Sequence, residues 1–211
     1  TDASIYQIMP EAVILPKNIE DIKKTIQFSQ EHNIPILPRG GGTSQNGQTV
    51  NRAIVLDNSK YLNKIIEVDA INQTCLVEPG IVLDELNRFL KPYGLWFPVD
   101  VSTSSRATIG GMAGNNSAGG RSIRYGIMRD NVMSIDALLS DASEAHFGLS
   151  KDNISGLKSL FPKLMAIAEK NKNEIKTRFP KIHKEGYKFL AISIIATFII
   201  LFFSKFIGIL F

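Results

Sequence analysis

Apolar residues follow two different spacings over the first 150 residues, and together these predict an α+β fold. Short apolar runs closed by proline, glycine or asparagine predict strands in "EAVILP", "IPILP", "RAIVLDN" and both halves of "KIIEVDAINQTCLVEPG". Helical spacing is present in "IVLDELNRFLKPYG" and in "NIEDIKKTIQFSQEHN", where Asn18 can cap a face formed by Ile19, Ile22 and Ile26. "VMSIDALLSDASEAHFG" predicts a hairpin. A β-α-β start followed mostly by hairpins favours α+β over a doubly wound sheet.

Two segments are rich in glycine and small polar residues. "PRGGGTSQNGQ" places Gly40, Gly41 and Gly42 directly after a predicted strand, and "TIGGMAGNNSAGG" has five glycines in thirteen residues. Glycine lets the main chain approach a ligand closely, and successive N–H groups can then surround an anion. Neither segment is a P-loop or a G-x-G-x-x-G fingerprint, because no Gly-Lys-Ser/Thr follows and Asn46 stands where the latter needs glycine. Two such segments in one small domain predict an extended ligand such as a dinucleotide.

The last 23 residues, Phe189 to Phe211, form an apolar run with one charge, Lys205. This run reaches the roughly 20 residues that a helix needs to cross a bilayer, so we predict a transmembrane helix, with a buried core helix as the alternative. Lys181, Lys184 and Lys188 precede the run and predict a membrane-associated protein whose main domain is cytoplasmic. If the run is not inserted, we expect a cytoplasmic protein. The preceding "ISGLKSLFPKLMAIAEKNKNEIKTRF" is predicted to be helical, broken at Pro162.

Charge, cysteine and histidine content narrow the function classes. Residues 163–188 hold eight Lys/Arg and three Glu, so the rest of the +4 chain sums to −1 and nucleic-acid binding is not favoured. The single cysteine, Cys75, excludes a disulfide framework and a cysteine-based zinc site, and its strand-like surroundings predict a buried core residue. His32, His146 and His183 have no ligand-like spacing, so no metal site is expected.

Four ordered motifs resemble a known family. "PRGGGTS", "VEPGIVLDELN", "FPVDVSTSSRATIGGMAGNNSAGGRSIRYG" and "RDNVMSIDALLSD" are similar to the FAD-binding domain of the vanillyl-alcohol-oxidase (PCMH) type, over roughly residues 1–148. The chain most resembles bacterial FAD-linked oxidases of the D-lactate dehydrogenase, glycolate oxidase and D-2-hydroxyglutarate dehydrogenase group. The resemblance implies a two-lobed domain, a βαβ lobe and a mainly antiparallel lobe with helices, with FAD extended between them. We expect the FAD-binding domain at 1–150, or to about 176, then a helical basic linker at 151–188 and the hydrophobic helix at 189–211.

The resemblance also implies which residues bind FAD. Arg39 to Ser44 would bind the pyrophosphate through backbone N–H groups, the segment from Pro98 to Ser104 would lie along the flavin, and Val132 would lie near the adenine. The residues implied in cofactor binding are Pro38, Arg39, Gly40, Gly41, Gly42, Thr43, Ser44, Pro98, Asp100, Ser104, Thr108, Gly110, Gly111, Ala113, Gly114, Asn115, Ser117, Gly119 and Val132. Relatives with covalently attached flavin have a histidine where this chain has Thr43, so non-covalent FAD is expected.

The chain departs from the family pattern in two places. Ala142 stands where relatives usually have a turn glycine, so the turn must be of another type or strained. After "RFPKIHKEGYKFL" the similarity stops, so a substrate domain with its catalytic base is not expected within this chain, and no catalytic residue is nominated.

Two hypotheses therefore remain for the function. One is an FAD-linked oxidoreductase domain of the 2-hydroxy-acid type, incomplete on its own. The other is a non-catalytic, membrane-anchored FAD-binding module or truncated remnant, which works with a separate substrate-domain chain or not at all. A frameshifted reading frame and a real tail anchor both account for the hydrophobic end. A nucleotide-binding protein unrelated to flavin is the remaining alternative.

Overall fold

A computed structural model describes residues 1–148, 160–178 and 202–209, and its strands form two separate sheets. The strands are β1 (Ala12–Ile14), β2 (Ile36–Arg39), β3 (Ile54–Asp57), β4 (Ile65–Asp69), β5 (Thr74–Val77), β6 (Val132–Leu138), β7 (Glu144–Gly148) and β8 (Phe202–Ile209). The first lobe has a parallel sheet in the order β1-β3-β2, and the second lobe has an antiparallel sheet in the order β4-β5-β8-β6-β7. The predicted two-lobed α+β architecture is confirmed.

Helix α1 (Ile19–His32) connects β1 to β2 and covers the parallel sheet. It begins at Asn18, whose side-chain oxygen accepts a hydrogen bond from the Asp21 N–H at 3.0 Å, as the sequence predicted. Ile22 and Ile26 are buried among the residues of β2 and β3, while the opposite face of the helix is polar. The 3.6-residue spacing of the isoleucines therefore fixes which side of α1 meets the sheet.

The remaining helices are short and belong mainly to the second lobe. They are α2 (Leu83–Leu90), α3 (Ile109–Gly114), α4 (Ser122–Tyr125), α5 (Met128–Asn131), α6 (Leu160–Lys170) and α7 (Lys172–Arg178). The core of this lobe contains Leu83, Leu86 and Leu90 of α2 with Phe97 and Ile109, all at most 1% exposed. Cys75 belongs to the same core, as predicted, and burial raises the pKa of its thiol to about 12.

The predicted hairpin of β6 and β7 is confirmed, and its turn has the unusual backbone that the sequence suggested. Ala142 has φ of 63°, a left-handed conformation that favours glycine. The Asp141 carboxylate accepts hydrogen bonds from the N–H and hydroxyl of Ser143, which stabilises this turn without glycine. Leu138 and Ala142 pack with the apolar core of the first lobe, so the hairpin joins the two lobes.

The prediction of one helix over 189–211 is wrong for Phe202–Ile209. These residues form strand β8, which pairs antiparallel with both β5 and β6. A run of phenylalanine and isoleucine suits a buried strand as well as an apolar helix, and apolar content alone cannot distinguish them. Residues 189–201 lie outside the described residues. Among the residues that are described, no helix combines the length and apolar content needed to span a bilayer.

The predicted break at Pro162 stays a prediction, because residues 149–159 lie outside the described residues. Pro162 is the third described residue of α6 (Leu160–Lys170), and the helical run has a break at Asn171. The Asn171 side chain donates to the Ile167 carbonyl at 2.8 Å, which satisfies one of the carbonyls at the end of α6.

Candidate functional site

A cleft of about 1330 Å³ runs between the two lobes and is lined by both glycine-rich segments. This volume exceeds the roughly 300–1,000 Å³ of most small-ligand pockets and suits a long ligand. Most of its described lining is glycine, small hydroxyl residues and amides, with apolar side chains from Met112, Ile135 and Phe147. The two segments that the sequence singled out therefore lie on one site.

The parallel order of the first sheet explains where the first glycine segment lies. Strands β2 and β3 run in the same direction, with Arg39 beside Asp57, so both end at the same edge of the sheet. The loop after β2, Gly40 to Ser44, begins at this edge, and the Asn58 N–H donates to the Arg39 carbonyl at 3.0 Å. Ligands of open α/β sheets bind outside the carboxyl ends of the strands, and the cleft lies there.

The first glycine loop offers unpaired backbone donors to the cleft. Among the described residues, no acceptor binds the N–H groups of Gly41, Gly42 or Thr43, and all three residues line the cleft. Gly42 has φ of 64°, and a side chain there would collide with the Arg39 guanidinium. Successive N–H groups beside an arginine form a site for an anion such as a diphosphate.

The N-terminal residues hold this loop in place. The Ala3 N–H donates to the Gly42 carbonyl at 3.0 Å, and the Thr49 hydroxyl donates to the Asp2 carboxylate at 2.9 Å. The Ser4 hydroxyl also donates to this carboxylate and, with Thr49, lowers the pKa of Asp2 to about 2. Asp2 is therefore a charged acceptor at neutral pH that links the start of the chain to the cleft wall.

The second glycine segment uses its backbone donors internally. Thr108 caps α3 through a 3.3 Å hydrogen bond from the Gly111 N–H, and the N–H groups of Ile109 and Gly110 donate to the carbonyls of Ile81 and Pro79. The Ser117 N–H donates to the Met112 carbonyl at 2.9 Å. Helix α3 therefore shapes the cleft through its backbone and small side chains, rather than presenting the same open row of donors as the first loop.

Glycines also allow the two segments to touch each other. A Cβ on Gly40 would lie 2.2 Å from the Thr108 Oγ1, and one on Gly41 would lie 2.2 Å from the Arg106 carbonyl oxygen. Real Cβ atoms do not approach other atoms this closely. The absence of side chains at these positions therefore lets the first loop lie against the start of α3, and residues of both segments line the cleft.

Most of the predicted cofactor-binding residues are brought together. The described lining includes Pro38, Arg39, Gly40, Gly41, Gly42, Thr43, Ser44, Asp100, Thr108, Gly110, Gly111, Ala113, Gly114, Asn115, Ser117, Gly119 and Val132. Pro98 and Ser104 do not line it: Pro98 is buried, and the Ser104 carbonyl accepts the Asp84 N–H at the start of α2. The cofactor contacts of all these residues stay predictions.

Sequence reasoning missed several residues of the cleft wall. Asn58, Pro79 and Thr103 line the cleft, and so do Ile135 and Phe147 of the β6–β7 hairpin. Ile135 pairs with Phe147 across the two strands, so both point to the same face. From the sequence, these apolar residues could equally well be core residues of a strand. Only the packing of the hairpin against the first lobe shows that they line the cleft.

The charges at the cleft are few and mostly positive. Among the described lining residues, the ionisable side chains are Arg39, Arg129 and Asp100. Asp100 accepts the Arg121 N–H at 2.9 Å and lies 3.7 Å from its guanidinium, and Arg121 in turn stacks over Trp96 at 5.0 Å. Asp100 therefore orders the adjacent loop. Arg39 lies 3.8 Å from the Asp57 carboxylate and Arg129 lies 3.3 Å from the Asp130 carboxylate, so each cleft arginine is partly neutralised by a neighbouring aspartate. Trp96 does not line the cleft.

These features fit FAD. Its diphosphate requires close-packed N–H donors with positive charge nearby, which the loop from Arg39 to Thr43 provides. Its length requires an extended cleft, and its sugar hydroxyls require polar side chains along the walls. Among the residues described, no group of three or more histidine, cysteine, aspartate or glutamate side chains could hold a metal ion instead.

Comparisons with known proteins point to the same cofactor. A family model described as an FAD binding domain matches residues 10–148. The chain is 40% identical over 142 residues to D-2-hydroxyglutarate dehydrogenase of Escherichia coli K12, covering 66% of this chain and 14% of that protein. It is 38% identical over 151 residues to a glycolate oxidase subunit of Bacillus subtilis, covering 70% of this chain and 32% of that subunit.

A solved structure shares the fold. The crystal structure of 6-hydroxy-D-nicotine oxidase from Arthrobacter nicotinovorans matches with a TM-score of 0.62 at 19% identity, covering 70% of this chain and 32% of that one. The chain thus spans a third or less of each of these three proteins. Since the family model covers both glycine segments and the strands that position them, this chain belongs to the FAD binding domain family.

Proposed function

We propose that this chain is the FAD-binding part of an oxidoreductase that acts on small 2-hydroxy acids. The observation that carries the proposal is the identity of 40% and 38% with two enzymes named for D-2-hydroxyglutarate and glycolate. Both compounds are carboxylic acids with a hydroxyl group on the adjacent carbon. The matched residues contain the whole cleft, so the likeness extends to the site and not only to the scaffold.

The proposed cofactor contacts follow from the cleft wall. The diphosphate lies on the N–H groups of Gly41, Gly42 and Thr43, with the Arg39 guanidinium beside it. Among the described lining residues there is no histidine, cysteine or tyrosine, and Thr43 stands at the position where relatives with covalently attached flavin have a histidine. These observations support non-covalent binding, in which affinity comes from the N–H donors, the arginines and apolar contacts along the cleft.

Bound FAD supplies an acceptor for the two electrons that leave the carbon carrying the hydroxyl group. The chain's own residues hold that acceptor in place, and the apolar side chains of Met112, Ile135 and Phe147 keep part of the cleft dry. A 2-hydroxy acid also needs a base for its hydroxyl proton and a cation for its carboxylate. The one carboxylate of the described lining, Asp100, is engaged by Arg121. The proposal therefore assigns the base to a further domain or a separate chain.

The same observation favours a second candidate, an FAD-binding module without catalytic activity of its own. Such a module would bind the cofactor as described, but no residue of the chain would take the substrate proton. The two candidates differ in what happens after FAD is bound, and one preparation can test both.

The experiment uses the full chain, purified and incubated with FAD. We expect a flavin absorption spectrum that stays with the protein through gel filtration and is released by acid, because the binding is non-covalent. Bleaching of the flavin by glycolate, D-lactate or D-2-hydroxyglutarate without air would support the enzyme. A stable yellow protein that none of the three reduces would support the module. A protein that takes up no FAD would contradict both.

A further inference from the structure

Asn58 has a buried polar atom for which the described part of the chain provides no partner. The residue is 6% exposed, and its side-chain Oδ1 is buried and accepts no hydrogen bond from any described residue. Asn58 also lines the cleft. A buried amide without a partner destabilises the folded protein, so a protein retains one only where something else compensates.

The main chain that carries Asn58 is held in place beside the cleft. Its N–H donates to the Arg39 carbonyl at 3.0 Å, directly before the first glycine loop. Its own carbonyl lies so close to Gly80 that a Cβ there would be 2.2 Å away. The next residue, Ser59, is held by hydrogen bonds of 2.9 Å and 2.6 Å to the Asp57 carboxylate. The main chain on both sides of the amide is therefore fixed at the end of β3.

The unpaired atom is a feature of the position and does not depend on how the amide is oriented. Exchange of Oδ1 and Nδ2 would place two N–H donors where the acceptor lies now, and these would equally need a partner. A hydroxyl group meets either requirement, since it donates through its hydrogen and accepts through its oxygen. Phosphate oxygens only accept, so they can bond to the amide only through its N–H groups, whereas a hydroxyl group can bond to either end.

We propose that Asn58 is a cofactor-positioning residue whose amide binds a sugar hydroxyl group of FAD next to the diphosphate. The inference rests on the proposed function in that FAD occupies this cleft. It places the sugar hydroxyl at the carboxyl end of β3 and the diphosphate at the carboxyl end of β2. Since β2 and β3 are adjacent, the two contacts would lie side by side on the cofactor, as the diphosphate and the neighbouring sugar do.

The test replaces Asn58 with leucine, which has a similar shape and no polar atom. For the apoprotein, we expect Asn58→Leu to raise the melting temperature by about 2–4 °C, because the unpaired amide is removed. For FAD binding, followed by quenching of flavin fluorescence, we expect the Kd to rise about tenfold, because the sugar hydroxyl loses its partner. Removal of a merely structural asparagine would not raise the stability of the apoprotein and at the same time lower its affinity for FAD.

Two further variants keep the result interpretable. Asn58→Ala removes the amide without adding methyl groups and should weaken FAD binding to a similar extent, even if the leucine variant does not fold. Asn63→Leu is the matched control, since Asn63 is exposed, lies five residues away and is outside the cleft lining, and it should leave the Kd unchanged.

The outcomes separate this inference from the proposed function. If the unaltered chain binds FAD and both Asn58 variants bind it with Kd values within about twofold, the inference is wrong, because a water molecule then serves the amide as well. If the unaltered chain binds no FAD, the proposed function itself fails.

Discussion

The two glycine-rich segments have similar compositions but different roles in the structure. In the first loop, the N–H groups of Gly41, Gly42 and Thr43 have no acceptor among the described residues. In the second segment, the first-turn N–H groups of α3 donate to Ile81, Pro79 and Thr108. The first loop therefore presents donors to a ligand, whereas α3 provides a rigid wall for that loop to lie against.

This difference shows that glycine content has two separate physical uses at one site. Gly42 is required by its positive φ and by its contact with Arg39, while Gly40, Gly41 and Gly110 are required because no Cβ would fit. Composition alone cannot tell these uses apart. Substitutions that add one methyl group, or remove one charge, can separate them.

The largest effect is expected for Gly41→Ala. The new Cβ would meet the Arg106 carbonyl oxygen at 2.2 Å, and backbone must move to relieve the clash. We expect the free energy of unfolding to fall by about 3 kcal/mol, measured by urea denaturation. Gly120→Ala is the control, because its Cβ would have only one ordinary contact, at 3.8 Å, and the loss should stay below about 0.5 kcal/mol. Equal losses in the two variants would contradict the tight contact between the segments.

The next effect concerns charge at the first loop. Arg39→Gln removes the guanidinium beside Gly42, and we expect FAD affinity to fall by about 2 kcal/mol, or roughly thirtyfold in Kd, measured by fluorescence quenching at low salt. Arg121→Gln removes an arginine that stacks on Trp96 outside the described lining. It should change the Kd much less. A larger loss for Arg121→Gln would place the anion at the second segment instead.

Ala142 is the opposite case, because here a residue other than glycine adopts the left-handed backbone conformation. Ala142→Gly should raise the free energy of unfolding by about 1 kcal/mol, because the strain of φ at 63° is removed. Ala70→Gly is the matched control in the β4–β5 turn, where Ala70 does not have positive φ, and it should lower stability slightly. A loss of stability in both variants would show that the Ala142 methyl packing outweighs the strain.

The smallest effect is an absence of reaction at Cys75. The thiol is 2% exposed in the core that also holds Ile109 and Met112 of α3, and burial raises its pKa to about 12 from 9.0. We expect no labelling by a thiol reagent at pH 8 until the protein unfolds. Since the folded pKa is higher, this group's contribution to stability is complete below pH 9 and declines as the pH rises towards 12. Rapid labelling of the folded protein would show that reagents in solution reach the core next to α3.

The sequence predicted most of the first 148 residues because local signals and packing agree there. The Asn18 cap, the isoleucine face of α1 and the alternation in the β6–β7 hairpin each point to one structure. Prediction failed where two structures share one signal. The apolar run at Phe202–Ile209 suits a strand or a helix, and pairing with β5 and β6 decided the matter.

For the site, the sequence by itself determined the kind of ligand. Two glycine segments, an arginine and many small polar residues predict an extended anionic ligand. This prediction does not depend on the exact fold, because the ability of these residue types to bind anions is a property of the residues themselves. Only the tertiary structure decided which donors face the cleft, since a backbone N–H is available or occupied according to the distant carbonyls that surround it. The same applies to Asn58, which looks like an ordinary turn residue after a strand. Its burial without a partner exists only because β2, β3 and Gly80 meet around it.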